Sequence, residues 1–404
     1  MKVRFSQNAK NAFALGLLCT IAYLTVYVAR ETLSPVTPQM LEEGFSESYI
    51  GGLSSVFFIT YAIGQLINGT IGDKVKTRYM MSLGLLFASI SLTVFRLVVP
   101  TPAAAYAAYA ATGFSLSMIY APMAKVVSEN VEPKYARRCS MSYTFSACFG
   151  RPFAGLLAAA MVWQSAFIVG STALFAMAIV CFFVFLAFER NGIVRYHQFD
   201  VKEKTASNLK ILIERDIIRF AFIAILTGIV RTAVTFWLPT YTTQRLSFTP
   251  QESSIIYTVL MLVCSLNSFL SVAVYVWFKE NVLRAALLFF SVSATAFLGA
   301  FFFTQPIVNL ALMMVAILSN DAAAALIWSV YCPSLYDTGM TARGTGFLNF
   351  LSYASASAAS SAFAAAVGGI GWGGLVLVWF SLMACGVVVV LIKGKKKEVK
   401  EVEG

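Results

Sequence analysis

Three arginines, Arg30, Arg151 and Arg231, stand deep inside long apolar stretches. An arginine near the centre of a bilayer costs about 2.5–3.5 kcal/mol on insertion scales. The guanidinium stays charged at every accessible pH, and its planar fork grips a phosphate through two parallel hydrogen bonds. Two readings account for three such costs: the arginines line a water-filled cavity for an anion, or they pair with acids inside the membrane. The acids within reach are Glu31, Glu129 and Asp321, with Glu129 at an inner helix end, so positive charge is in excess at depth. Asp321 is read as the partner of a nearby base or as a group that orients substrate, and Asn267, Asn320 and Asn349 as further hydrogen-bond donors. Enzyme chemistry has no footing, because there is no nucleophile-base set, metal cluster or phosphate-binding loop motif. The one histidine, His197, lies in a polar loop, and the seven cysteines show no paired spacing and read as core filler. No metal, cofactor or nucleic-acid partner is expected.

The elements that must position these groups follow from composition. The chain is 59% hydrophobic and only 12% charged, with mean hydropathy +0.76, too apolar to cover a water-soluble surface. Stretches of about 20 apolar residues suffice to cross a bilayer. They fall at 9–34, 49–71, 79–99, 103–128, 139–162, 165–188, 214–241, 252–278, 284–303, 306–331, 342–367 and 371–393. The first is read as a retained helix rather than a cleaved signal. Lysines and arginines concentrate in alternate loops, which places both termini in the cytoplasm by the positive-inside rule and requires an even number of spans. Six of the 30 basic residues escape that pattern: Arg30, Arg96, Lys125, Arg151, Arg231 and Arg245. Arg245 falls in an outer loop, while Arg96 and Lys125 lie near helix ends, where long side chains reach the headgroups.

An internal repeat gives the architecture. Arg30 stands eight residues before Pro38 and Arg231 eight before Pro239, an offset of 201 residues, and a short polar outer loop follows each proline. The expectation is an all-α membrane protein of twelve helices in two pseudo-symmetric bundles, at 1–189 and 214–393. A cytoplasmic connector spans 190–213 and a basic tail 394–404, and the site lies between the bundles. The run ASASAASSAFAAA (354–366) reads as close helix packing, and GGIGWGG (368–374) as the last outer turn.

These features resemble the major facilitator superfamily. The loop GTIGDKVKTR (69–78) is similar to its signature between helices two and three, carried by Gly69, Asp73, Lys74 and Arg78 with Lys76 in place of the usual second glycine. Asp73 at a helix end is read as a latch on the cytoplasmic side. Within the superfamily the chain resembles the organophosphate:phosphate antiporters, which carry glycerol 3-phosphate and sugar phosphates. The pattern Tyr23-x3-Tyr27-x2-Arg30 looks like their first helix, Tyr61 and GQLINGTIGD like their second, and Arg231 with Trp237, Pro239, Thr240 and Tyr241 like their seventh. The resemblance implies that Arg30 and Arg231 bind phosphate, one from each half, and that Tyr23, Tyr27 and Tyr61 line the site. Three departures stand beside it: Gln65 replaces a lysine, Ala147 falls near the family's fifth-helix histidine, and Met261 near its eighth-helix acid. Arg151, one helical turn beyond Ala147, is read as restoring a positive charge to the cavity.

The implied activity is exchange of a phosphorylated organic anion for inorganic phosphate by alternating access in the inner (plasma) membrane. Two arginines left unneutralised in an empty site would repel each other, which favours exchange over net passage. A carrier for another organic anion, such as a carboxylate, and a non-transporting sugar-phosphate sensor are the alternatives. The expected partners are the anion, inorganic phosphate and the lipid bilayer, which the basic tail also touches. No feature selects an oligomeric state, and a monomer is the working expectation.

Overall fold

The computed structural model describes residues 7–72, 74–196, 213, 215–335 and 341–392. All regular structure among them is helical. Helix α1 runs through Gln7–Glu31 and Leu33–Glu42, α2 is Glu47–Gly72 and α3 is Thr77–Val98; α4 comprises Pro102–Leu116 and Tyr120–Asn130, α5 is Pro133–Ala160 and α6 is Trp163–Arg190. In the second half, α7 comprises Ile217–Gly228, a π-helical turn Ile229–Val234 and Thr235–Leu246, and α8 comprises Pro250–Cys264 and Asn267–Trp277. Helix α9 is Val282–Phe302, and α10 comprises Pro306–Leu326, a second π turn Ile327–Tyr331 and Cys332–Ser334. Proline opens α5 and begins the first segments of α4, α8 and α10, where its fixed φ suits the first turn and its missing N–H goes unneeded. At α8 the start is fixed further by a capping box between Thr249 and Glu252.

The last helical stretch, Thr341–Leu391, is 51 residues long. Straight, it would measure about 77 Å against a hydrocarbon core of about 30 Å. It doubles back at Gly371, whose φ of 66° and ψ of 176° lie in a region open only to glycine. Phe363 and Trp379 consequently meet at 6.0 Å between ring centroids across the turn. Residues 341–370 are α11 and 372–391 are α12, so the outer turn falls inside the glycine-rich run that the sequence marks. Gly371→Ala is expected to cost about 1–3 kcal/mol of stability through backbone strain alone, read as a lowered midpoint of thermal unfolding in detergent. No neighbour within 4 Å would meet the added methyl, so a clash makes no contribution.

Among the described residues eight helices are individually long and apolar enough to cross a membrane, or nine if the bent pair in α8 counts as one span. The shortfall from twelve has local causes. Helix α4 is interrupted at 117–119, α5 carries Arg138 and Arg151, and α11 and α12 run on as one helical stretch.

The halves meet closely at the end away from Gln7 and Ile392, the first and last described residues. Ser54 Oγ donates to Ser360 Oγ at 3.1 Å, and Ser55 Oγ donates to the Ser357 carbonyl at 2.5 Å. Ser34 Oγ donates to the Phe236 carbonyl at 2.9 Å, and Ser254 Oγ to the Pro35 carbonyl at 3.0 Å. This is the small-residue packing expected of the run at 354–366. A Cβ on Gly51 would lie 2.7 Å from the Ala364 Cβ and 2.9 Å from the Ser360 carbonyl oxygen, so the backbones can approach this closely only with glycine there. Gly51→Leu is expected to wedge this end apart. The cavity thiols Cys148 and Cys264 should then react with a membrane-impermeant maleimide applied from the side opposite the termini, several-fold faster than in the unsubstituted protein.

Candidate substrate site

Between the halves lies a cavity of about 400 Å³. Its walls run from Arg151 and Arg231 at mid-depth to Gln65, Ser329 and Thr345 nearer the terminus-bearing end, so it opens toward that end. Beyond the arginines, toward the serine-packed end, is a space of only about 20 Å³, room for one water molecule. Arg30, Glu31, Arg151 and Arg231 border it.

The three arginines differ in access to the cavity. The side chain of Arg231 is 29% exposed, that of Arg151 16% and that of Arg30 only 4%. Arg231 projects from the π turn of α7, which displaces it from the regular helical register. Its Nε lies 3.2 Å from Asp321 Oδ1, and Asp321 Oδ2 accepts a hydrogen bond from Asn267 Nδ2 at 3.2 Å. Pairing through Nε leaves the terminal fork free to face the cavity. In the first half one carboxylate serves two arginines: Glu31 Oε1 lies 3.3 Å from Arg30 Nε and 3.5 Å from Arg151 Nε. Its other oxygen accepts from the Tyr257 hydroxyl of the second half at 3.4 Å.

The deep arginines pair with acids, and Arg151 and Arg231 also line the cavity. Three cations face two carboxylates, which leaves one positive charge among the residues bordering the two spaces. Arg30 stands apart from the main cavity behind an aromatic screen. Its guanidinium lies 4.8 Å from the ring centroids of both Tyr61 and Tyr353, within cation–π range, and Nη2 donates to the Tyr353 hydroxyl at 3.0 Å.

Of the residues proposed from the sequence, Tyr23, Tyr27, Tyr61, Gln65, Arg151, Arg231 and Asp321 line the cavity, and Arg30 does not. Asn349 lines it too and donates through Nδ2 to Gln65 Oε1, joining the halves. Asn320 does not reach it: fully buried, it donates to the Thr227 carbonyl at 3.2 Å and holds α10 against α7. Sequence reasoning missed Tyr353, Tyr120 and Trp328 in the cavity wall and the bridging role of Glu31. Tyr353 had one available signal, as a large polar residue at the head of the small-residue run.

The loop at 69–78 is seen in part. Asp73 lies outside the described residues, as do most of the connector and the tail. Gly69 sits near the end of α2 with open space about it, and Lys74 is exposed. Arg78 is buried, with Nη1 3.0 Å from Glu189 Oε2 at the end of α6. The Tyr196 hydroxyl donates to Glu189 Oε1 at 2.9 Å, and burial holds its phenol above the ordinary pKa. This cluster fastens the start of the connector to the first half. Lys125 Nζ donates to the Gly72 carbonyl at 3.1 Å, capping the end of α2.

Helical halves packed around a charged cavity that opens at one end define a membrane transporter. The family model described as Major Facilitator Superfamily matches residues 19–361, and the chain belongs to that superfamily. Among curated proteins it is 32% identical over 71 residues to the membrane sensor protein UhpC of Escherichia coli, covering 17% of this chain and 16% of that protein. It is 30% identical over 78 residues to a probable hexose phosphate transport protein of Chlamydia trachomatis, covering 19% of this chain and 17% of that one. Over 260 residues it is 22% identical to the glycerol-3-phosphate transporter of Bacillus subtilis, 58% of each. The chain thus spans about a sixth of the first two relatives and under two thirds of the third. Among solved structures, a bacterial homologue of the human lysosomal transporter Spinster, inward-facing and unoccupied, superposes with a TM-score of 0.71 at 12% identity, covering 96% of both chains. A D-xylose-proton symporter superposes equally at 11% identity, covering 94% of this chain and 97% of that one. At these identities the structures establish the fold.

Proposed function

We propose that the chain carries a phosphorylated organic anion across the plasma membrane in exchange for inorganic phosphate, by alternating access, with both termini in the cytoplasm. The observation that carries this reading is the convergence of three arginines from both halves at mid-depth, Arg151 and Arg231 on the main cavity and all three on the small space beyond it, against two carboxylates. An anion entering from the open end meets Arg231 and Arg151 first. Arg30 becomes available once Tyr353 yields its hydrogen bond. Contacts to both halves would draw them together around the bound anion, which lowers the barrier to rocking. The tyrosines and Trp328 offer rings to the organic portion, while Gln65, Asn349, Ser329 and Thr345 offer hydrogen-bond partners to its hydroxyls. The similarity to curated proteins named for hexose phosphate and glycerol-3-phosphate transport supports the same substrate class.

The test is uptake of labelled phosphate into proteoliposomes loaded with phosphate, followed by competition with glycerol 3-phosphate, a hexose 6-phosphate and a dicarboxylate. Saturable exchange inhibited by an organophosphate is the expected result. Inhibition by the dicarboxylate alone would redirect the assignment to a carboxylate carrier. Organophosphate binding without flux would favour a sensor, a reading that the similarity to UhpC keeps in view.

A further inference from the structure

Glu31 occupies the position that a bound anion would want. Its Oε1 lies between the Nε atoms of Arg30 and Arg151, at 3.3 and 3.5 Å, and it borders the small space into which Arg231 also projects. The carboxylate hangs on the helix that carries Arg30, so it cannot leave, but it is loosely held. None of the Nε groups of Arg30, Arg151 and Arg231 makes a hydrogen bond of good geometry, although all three are buried. Opposite charges are close while the directed bonds remain unmade. A phosphate that supplies those bonds therefore gains what the carboxylate does not provide. The second oxygen of Glu31, accepting from Tyr257, extends the arrangement across the divide between the halves.

An empty site without Glu31 would hold Arg30 and Arg151 with no counter-charge in their own half, and repulsion would oppose closing around it. With Glu31 present the charge of the Arg30–Arg151 pair falls from +2 to +1 and their mutual repulsion is screened by the carboxylate between them, while Asp321 balances Arg231 in the second half. Resting on the phosphate-carrier reading above, we propose that Glu31 is a tethered counter-anion, which competes with substrate for Arg30 and Arg151 and allows the empty carrier to reorient. This chain would then perform net phosphate movement as well as exchange.

The experiment compares two fluxes in proteoliposomes, with the membrane potential clamped by potassium and valinomycin. One is phosphate uptake against internal phosphate, the other uptake into vesicles without it. Inorganic phosphate binding to the purified full-length chain is measured alongside by calorimetry. The unsubstituted chain is expected to show both fluxes. Glu31→Gln should bind phosphate about tenfold more tightly and lower the ratio of net flux to exchange at least tenfold, and Glu31→Asp should recover that ratio. Tyr257→Phe, which leaves both arginine contacts intact, is a milder variant should Glu31→Gln fold poorly. It should lower the ratio of net flux to exchange in the same direction by a smaller factor. Robust exchange with no net flux in the unsubstituted chain would overturn this inference and leave the carrier assignment standing. Unchanged phosphate affinity in Glu31→Gln would overturn it as well. Absence of both phosphate binding and phosphate exchange would overturn the carrier assignment and this inference together.

Discussion

Arg231→Lys is expected to reduce phosphate exchange at least a hundredfold, although it preserves the charge. Arg231 divides its work between two sides: Nε faces Asp321 at 3.2 Å, and the terminal fork, on a side chain 29% exposed, faces the cavity. A lysine ammonium is a single point on a flexible stem and cannot serve both at once. Drawn to Asp321, it would leave the anion without its two parallel donors. Each charge-assisted hydrogen bond contributes about 1.5–3 kcal/mol, so losing the pair removes about 3 kcal/mol or more, and 1.4 kcal/mol is a factor of ten. Initial rates of phosphate exchange over a range of concentrations check this, with expression and thermal unfolding as controls. Near-normal exchange in this variant would show that Arg231 is only the structural partner of Asp321.

Arg151→Gln should be nearly as damaging, and it separates the two arginines of the first half. Arg151 lines the open cavity, whereas Arg30 is almost wholly enclosed behind Tyr61 and Tyr353. An arriving anion therefore encounters Arg151 before Arg30. Glutamine keeps a donor and most of the length but removes the charge. Glu31, released from one partner, would then lean entirely on Arg30. The expected outcome is a rise in the phosphate KM by between ten- and a hundredfold, matching the loss of one charge-assisted contact. Unchanged kinetics would remove Arg151 from the site and return the first-half role to Arg30 alone.

Much of this site was readable in the sequence because a membrane makes charge conspicuous. Arginine in an apolar helix is costly enough that Arg30, Arg151 and Arg231 stand out without any structure. The spacing of Arg30 and Arg231 from Pro38 and Pro239 exposed the repeat. The hidden part depends on proximity in space. Glu31 reads as an ordinary neighbour of Arg30, and nothing in the order of residues shows that Arg151, on α5, shares its carboxylate. The aromatic enclosure of Arg30 requires Tyr353, 323 positions away. Long apolar segments were legible by length, but their interruptions at 117–119 and within α8 were not, since apolar periodicity scarcely registers a single broken turn.

The π turns of α7 and α10 have a consequence for how the two halves share their labour. Among the described residues both such turns fall in the second half, one holding Arg231 and the other Trp328. Each stores one residue of slack. Drawing that residue into regular α-helix rotates the rest of the helix by about 100° and advances it by about 1.5 Å. The second half can thus re-aim a guanidinium or an indole by local rewinding while its helices stay in place. The first-half site residues, from Tyr23 to Arg151, stand on segments with no such reserve. Local rewinding of this kind is therefore a reserve of the second half, and substitutions that straighten either π turn are expected to re-aim Arg231 or Trp328 while leaving the first half unchanged.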